Sequence, residues 1–230
     1  MVNFQKEHYS YEDMLAIMRI LRAPGGCPWD AEQTHESIRR NFLEETCEAV
    51  EAIDNHDMPA LCEELGDVLM QVIFHAQMEA EAGGFTMQDV IDGLCRKLVY
   101  RHPHVFSDVK VANSDEVLTN WEALKRQEKA QRSTADAFDA VSKTLPALWR
   151  AEKMESKAAK AGFAWPEGSD GALRKLEEEV GELCAAVESG SVDGRHGVRE
   201  EVGDVLFMAA QVAQSHGVDP EAALHAACDK

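Results

Sequence analysis

One pattern of carboxylates occurs twice in the chain and constrains its fold more than any other feature. Each copy consists of two acidic motifs, Glu-x-x-Glu followed by Glu-x-x-Asp. The first acidic set is Glu45, Glu48, Glu64 and Asp67, and the second acidic set is Glu179, Glu182, Glu201 and Asp204. Residues three apart lie on one face of an α-helix, so each motif places two carboxylates side by side. The duplication predicts two similar helical halves.

The turn between the two motifs of each copy determines how the carboxylates meet. Residues 55–57, Asn-His-Asp, separate the motifs of the first copy, and residues 189–194 form a Ser-Gly loop in the second. Two helices joined by a short loop pack antiparallel, and positions equidistant from the loop then lie level with each other. We therefore expect each copy to bring its carboxylates to the same height on two neighbouring helices.

Apolar residues at helical spacing run beside the acids. They are Leu61, Leu65, Val68 and Val72 in the first copy, and Leu176, Val180, Leu183, Val187, Val198, Val202, Val205 and Ala209 in the second. We expect these stripes to form the core of each half, with the acids at its border. Carboxylates beside a core repel one another unless cations lie between them. Ligand sets made only of oxygen suit Mg²⁺, with Mn²⁺ as the alternative.

Length and charge limit the class of protein. The 230 residues suffice for one large domain or two small ones, and the formal net charge is −19. Such a charge argues against a protein that binds duplex nucleic acid, which needs a basic surface. The negative charge is compatible with a small phosphorylated substrate that binds together with metal ions. No stretch shows the alternation of a β-strand, so the chain is predicted to be all-α.

The same sequence indicates where the protein works and where its halves divide. None of the six cysteines forms a Cys-x-x-Cys pair. Cys47, Cys62 and Cys184 lie in helical patterns among apolar residues, so we interpret them as small core residues in a reducing cytoplasm rather than as a disulfide framework. The first residues do not have the pattern expected of a signal peptide, and we expect no membrane span because no apolar run is long enough. Residues 133–141 are small, polar and weakly patterned, so we expect a linker there, between halves at 1–132 and 142–230.

Basic and aromatic residues supply candidates for substrate binding. Lys153 and Lys157 belong to a basic face of a predicted helix, which is either a phosphate-facing surface or a solvated face. Trp29 and Trp165 lie in two similar loops, where each either stacks on a nucleotide base or packs half-buried.

Three classes of function are compatible with these features. The first is a metal-dependent hydrolase of a phosphoanhydride, in which carboxylates hold the ions. The second is a di-iron carboxylate bundle, which needs Glu-x-x-His on two helices, whereas here that motif occurs only at Glu32 and His35. The third is a helical interaction module whose acids are solvated. The histidines show no ligand pattern, and His75 is interpreted as a core residue.

Several short motifs carry a family resemblance. They are GCPWD at 26–30, EELGD at 63–67, RHPHVF at 101–106, LPAL at 145–148, GFAW at 162–165 and EEVGD at 200–204. Together with the acidic sets, they closely resemble the MazG family of nucleoside triphosphate pyrophosphohydrolases over nearly the whole chain.

The resemblance implies two tandem MazG-like helical bundles and a defined reaction. The family hydrolyses the α–β bond of NTPs or dNTPs with Mg²⁺, giving NMP or dNMP and pyrophosphate, and many members accept several bases. That breadth suits a role in clearing non-canonical or surplus nucleotides. The family is usually dimeric, with helices from both subunits enclosing each site. A narrower dUTPase-like or phosphoribosyl-ATP-type pyrophosphohydrolase is the related alternative.

The resemblance also assigns roles to residues. Both acidic sets match the family's metal ligands, and either one of these acids or a neighbour, Glu44 or Glu178, positions the attacking water. Lys97 and Arg101 match a phosphate-binding pair of the family. In the second half Lys230 falls at the lysine position and the arginine position lies past the end of this sequence. The two halves therefore need not be equally active.

Overall fold

A computed structural model describes residues 5–128, 133–163 and 169–230. Every regular element in these ranges is an α-helix, which confirms the predicted all-α fold. The chain divides into two compact units, Met1–Trp121 and Glu122–Lys230. No helix in the described ranges is both long enough and apolar enough to cross a membrane. The six cysteines are free thiols, but Cys47, Cys62 and Cys184 are exposed, so the prediction that they are small core residues is wrong.

The first unit contains six helices and the start of a seventh. They are α1 Tyr11–Arg22, α2 Pro28–Glu32, α3 Arg39–Asp54, α4 Met58–Ala82, α5 Met87–Arg101, α6 Pro103–Phe106 and α7 Ser114–Glu128. Helices α3 and α4 form an antiparallel hairpin, and α1 and α5 pack against α4. The core lies at the end of α4 far from the hairpin turn, where Ile73, Phe74 and Met78 meet Met18 of α1 and Ile38.

Arg22 fixes the loop after α1 against the hairpin. Its Nη1 donates to the carbonyl of Asp30 at 2.6 Å, and its Nη2 lies 3.0 Å from Oε2 of Glu81 on α4. The guanidinium also lies over the ring of Phe74, with Cζ 5.2 Å from the centroid. One cation therefore joins α1, α2 and α4, and the short helix that carries Trp29 is held in place.

The second unit repeats the hairpin. Its helices are α8 Thr134–Asp139, α9 Ala147–Lys160, α10 Ser169–Ser189, α11 Val198–Ser215 and α12 Pro220–Cys228. Helices α10 and α11 pair, and α9 packs on α11 and α12. The indole nitrogen of Trp149 donates to the carboxylate of Asp219 at 3.1 Å, which joins α9 to the residue that caps α12.

The predicted linker at 133–141 has regular structure. It contains α8, whose start is capped by Ser133 and Asp136 in a reciprocal pair of side-chain to backbone hydrogen bonds. Val141 is buried, and α8 packs against α9 in the second unit. Short Ser-x-x-Asp capping outweighs the weak apolar pattern in this segment.

The turns of the two hairpins end their first helices in the same way. His56 and Gly190 adopt φ angles of 56° and 71°, in the left-handed region that ends many helices. The second helices begin differently. Asp57 caps α4 by accepting from the backbone N–H of Ala60 at 3.1 Å, whereas Gly197 caps α11 without a side-chain hydrogen bond.

The predicted apolar stripes do not form the cores of the hairpins. Leu65 is 54% exposed, and Val187 and Val202 are 59% and 40% exposed. The buried positions between the paired helices are instead taken by small residues and by acids, among them Ala49, Ala186 and Glu201. Small side chains let paired helices approach closely, and the larger apolar residues lie on exposed positions of each hairpin.

Candidate metal centres

Three carboxylates of the first acidic set converge between α3 and α4. Glu45 and Glu48 project from α3 and Glu64 from α4, and one oxygen of each lies within 4.8 Å of the others. Asp67 is not a member of this group of three, but its negative charge acts on Glu45. The predicted meeting of acids across the hairpin is therefore observed, with Asp67 at its edge.

The charges of the first set are poorly compensated. Desolvation raises the pKa of the Glu45 carboxyl, and the negative charges of Asp67 and Glu48 raise it further, while a hydrogen bond from Gln71 lowers it. Desolvation also raises the pKa of Glu64, with added repulsion from Glu48. Raised carboxyl pKa values indicate that the cluster would gain stability from a bound cation.

The second acidic set forms an equivalent group that is more deeply buried. Oxygens of Glu179, Glu182 and Glu201 lie within 4.8 Å of one another. Glu179 is 7% exposed and Glu201 only 1% exposed. Within the described part of the chain, Oε2 of Glu201 is buried without a hydrogen-bond partner. Leaving a carboxylate oxygen in that state is costly unless a cation completes the site.

Repulsion is also present in the second group. Desolvation raises the pKa of Glu182, and the charge of Glu179 raises it further. Asp204 stands outside the group of three, and desolvation followed by the charges of Glu179 and Glu201 raises its pKa. A donor set of carboxylate oxygens with one buried, unpartnered oxygen fits a hard divalent cation.

A lysine distinguishes the second group from the first. Nζ of Lys175 lies 2.8 Å from Oε1 of Glu179 and 2.8 Å from Oε1 of Glu178. These contacts raise the pKa of Lys175. Lys175 stands four residues before Glu179, and the residue four before Glu45 is Asn41. The second group therefore has a built-in positive charge that the corresponding position of the first group lacks.

Sequence reasoning missed a histidine at the second group. His196, Glu200 and Glu201 offer ligand atoms within 4.8 Å of one another. Nδ1 of His196 lies 3.3 Å from Oε1 of Glu201, and its backbone N–H donates to Oε2 of Glu200 at 2.5 Å. In the sequence, His196 stands four residues before Glu200 and five residues before Glu201. Because α11 begins between them, helical spacing does not predict that these side chains meet.

The two residues proposed to position water lie beside the carboxylate groups. Glu44 is exposed and pairs with Arg40, whose Nε is 2.7 Å from Oε1. Glu178 is exposed and pairs with Lys175. Each of these glutamates immediately precedes a metal-ligand candidate and is held by a basic residue about one turn earlier.

The aromatic and basic candidates have different surroundings. Trp29 is 59% exposed on α2, whereas Trp165 lies outside the described residues. Lys97 is half-buried on α5. Arg101 is 7% exposed, and its guanidinium lies over the ring of Trp121 at 5.3 Å. Lys230 is exposed beyond the end of α12.

Lys153 and Lys157 line a cavity of about 850 Å³ in the second unit. Its wall also includes Lys125, Arg126, Lys160 and Glu122, and the last two form an ion pair. None of the second acidic set contributes to the described wall of this cavity. The two lysines therefore line a basic pocket that is separate from the carboxylate group.

Comparisons with known proteins follow the same division into halves. The model of the MazG nucleotide pyrophosphohydrolase domain matches residues 33–106 and 168–230. The nucleoside triphosphate pyrophosphohydrolase of Escherichia coli K12 is 42% identical over 218 residues, 94% of this chain and 82% of that protein. MazG of Thermotoga maritima, also named a nucleoside triphosphate pyrophosphohydrolase, is 40% identical over 96% of this chain and 82% of its own.

One protein with a similar sequence is longer than this chain. YabN of Bacillus subtilis, named as uncharacterized, is 45% identical over 223 residues, which make up 97% of this chain. The chain spans 45% of the length of YabN.

Proposed function

The chain belongs to the MazG nucleotide pyrophosphohydrolase family, and on this premise we propose that it hydrolyses the α–β bond of NTPs and dNTPs. The products are NMP or dNMP and pyrophosphate. The cofactor is Mg²⁺, which Mn²⁺ can replace, and the base specificity is broad. This activity suits the removal of non-canonical or surplus nucleotides in the cytoplasm.

One observation carries the proposal. In each half, three carboxylates from two helices converge within 4.8 Å of one another, and they do so despite their mutual repulsion. Such a group is stable when a divalent cation lies among its oxygens. We propose the eight acids of the two sets as the metal ligands, with Asp67 and Asp204 completing the groups of three.

The residues around each group have distinct tasks. The carboxylates would hold a divalent ion, which when bound would neutralise charge on the phosphates and polarise the phosphoryl group. Glu44 or Glu178 accepts a proton from the attacking water. The paired basic residues Arg40 and Lys175 keep these carboxyls oriented beside the ligand glutamates.

Binding of the nucleotide draws on the remaining candidates. The exposed ring of Trp29, and Trp165 in the second half, stack on the base. Lys97 and Lys230 attract phosphate oxygens, and Lys153 and Lys157, which line the separate basic pocket, draw the anionic nucleotide toward the second half. Arg101, whose guanidinium lies over the ring of Trp121, is proposed as the partner of Lys97 in binding phosphate.

The outer surfaces of the hairpins favour a homodimer. On α3 and α4, Leu43, Ile53 and Leu65 are each more than half exposed. On α10 and α11, Val187 and Leu206 are also about half exposed or more. Rows of large apolar side chains on a soluble surface mark interaction sites. We propose that a second copy covers them.

Product identification tests the proposal. The full chain is incubated with a panel of NTPs and dNTPs in Mg²⁺ or in EDTA, and nucleotide products are separated by chromatography. NMP and pyrophosphate formed only with Mg²⁺ support the proposal. Diphosphate with orthophosphate would contradict the proposed bond. Turnover of one nucleotide alone would indicate a narrower, dUTPase-like enzyme, and no turnover would favour an interaction module.

A further inference from the structure

The second half carries a nitrogen donor beside its acidic group, and this feature is not explained by an Mg²⁺ site built from oxygens alone. We propose that His196, Glu200 and Glu201 form an additional site for a transition-metal ion of the Mn²⁺, Fe²⁺ or Zn²⁺ class. The inference goes beyond the proposed hydrolysis, because it concerns metal binding in the absence of nucleotide.

The distances fit a common coordination sphere. Donor atoms that lie about 2.1 Å from one ion at right angles are separated by about 3 Å. Nδ1 of His196 is 3.3 Å from Oε1 of Glu201, and ligand atoms of all three residues lie within 4.8 Å of one another. An ion can therefore enter this group after small side-chain adjustments.

Glu201 gives the independent sign that a ligand is missing. It is 1% exposed, and in the described part of the chain its Oε2 has no hydrogen-bond partner. Oε1 lies 3.3 Å from Nδ1 of His196, and a carboxylate oxygen of Glu201 also lies within 4.8 Å of oxygens of Glu179 and Glu182. Because Glu201 belongs to both groups, one carboxylate would bridge two ions, as in two-metal hydrolases.

The loop before α11 holds the histidine in place. Backbone N–H groups of Val198 and Arg199 donate to the carbonyls of Ser191 and Val192 at 2.9 and 3.0 Å, folding the loop onto the helix start. At Gly197 a Cβ would lie 2.9 Å from the carbonyl oxygen of Val192, so only glycine fits. His196 is 69% exposed in its side chain, which leaves room for water ligands on the ion.

The donor types select the metal. Imidazole nitrogen together with carboxylate oxygen favours first-row transition metals, whereas Mg²⁺ prefers oxygen alone. The first half lacks this arrangement, because the residue five before Glu64 is Pro59, where His196 stands five before Glu201. The proposed site is therefore a property of the second half.

Substitution by glycine isolates the imidazole. His196 has a φ angle of 60°, which glycine adopts without strain, and His196→Gly keeps the backbone N–H that Glu200 accepts. The matched control is His56→Gly, at a φ angle of 56° in the first hairpin turn. Circular dichroism in EDTA verifies that both variants keep the wild-type fold.

The experiment is pulsed electron paramagnetic resonance of the full chain titrated with Mn²⁺, without nucleotide. We expect ¹⁴N coupling from one imidazole in wild type and His56→Gly, and none in His196→Gly. Mn²⁺ affinity of the second half should fall at least about tenfold in His196→Gly, while Mg²⁺ affinity stays within about twofold.

The same spectra can overturn the proposal. If wild type shows no ¹⁴N coupling, His196 only hydrogen-bonds Glu201 and Glu200 only caps the helix start. If the coupling persists in His196→Gly, another histidine supplies it. Both results are independent of whether the chain hydrolyses nucleotides, because no nucleotide is present.

Discussion

The hairpins α3–α4 and α10–α11 carry the same carboxylates but compensate their charge differently. In the first, Glu45 is half-buried and receives a hydrogen bond from the amide of Gln71. In the second, Glu179 and Glu201 are buried, and Lys175 and His196 lie against them. The two hairpins thus share the arrangement of their carboxylates, while the charges around them differ.

This difference predicts unequal halves. A cation already present at the second group competes electrostatically with a metal ion, whereas the first group has no such lysine at the corresponding position. We expect the first half to bind Mg²⁺ more tightly, and the second half to bind transition-metal ions through its additional donor, His196. The family resemblance, which allows halves of unequal activity, agrees with this expectation.

Removing one ligand from each half should have the largest effect. The double variant Glu45→Gln, Glu179→Gln keeps side-chain shape but removes two ligand charges, and we expect hydrolysis to fall on the order of 100-fold or more. Pyrophosphate release at saturating Mg²⁺ measures the loss. The single variant that reproduces the double identifies the working half.

If Glu45→Gln, Glu179→Gln and the double variant all keep full activity, the assignment of these glutamates as metal ligands is wrong. Circular dichroism supplies the control, because Gln is a good helix former and the helix content should not change.

Exchanging the lysine between the halves tests the charge difference directly. Lys175→Met should raise Mg²⁺ affinity of the second group about two- to fivefold, and Asn41→Lys should lower that of the first group by a similar factor. The expected factors are modest because the Lys175 side chain is partly exposed. Isothermal titration in low salt measures them. Equal affinities in all variants would show that the lysine does not distinguish the halves.

The raised carboxyl pKa values predict how metal-free stability depends on pH. Glu64 and Glu182 bind their protons more tightly in the folded chain, where desolvation is the largest cause. The stabilisation from protonation is therefore present below the ordinary value of 4.5 and is lost as pH rises through the folded values. In EDTA, the free energy of unfolding of wild type should fall above pH 4.5 relative to that of Glu64→Gln.

Glu182→Gln should remove a similar part of the pH dependence of the free energy of unfolding. Saturating Mg²⁺ should abolish this pH dependence in wild type. Urea unfolding at a series of pH values provides the measurement. Parallel curves for wild type and both variants would contradict the repulsion inferred in the two groups.

The helix caps at the two hairpin turns should make the smallest contribution to a difference in stability between the halves. Asp57 caps α4 through its side chain, so Asp57→Ala should lower the free energy of unfolding by about 1 kcal/mol. Gly197 caps α11 through the folded loop, and Gly197→Ala should also destabilise, because its Cβ would meet the carbonyl of Val192. Chemical unfolding compares the two. An unaffected Asp57→Ala would show that its side-chain cap does not contribute.

Periodicity and turn chemistry were enough to predict the hairpins. The Asn-His-Asp and Ser-Gly turns lie where expected, and Glu45 meets Glu64 as Glu179 meets Glu201 because equidistant positions of a hairpin are level. The family assignment made from short motifs is confirmed by the matching domain model.

Burial within the hairpins could not be predicted in the same way. The stripes of Leu65 and Val202 have helical spacing, but spacing alone does not say whether another helix of the same chain covers them. His196 was missed because its contact with Glu201 depends on a left-handed backbone bend rather than on a helical repeat. The helix at 134–139 was missed because six residues give too short a periodic signal.

Metal stoichiometry tests the central claim most directly, namely that both hairpins are metal centres. Equilibrium dialysis of the full chain with Mn²⁺ is compared among wild type, Glu64→Gln and Glu201→Gln. We predict that each variant loses binding at its own half only, with Glu201→Gln losing more because Glu201 belongs to two groups. Unchanged stoichiometry in both variants would contradict the account.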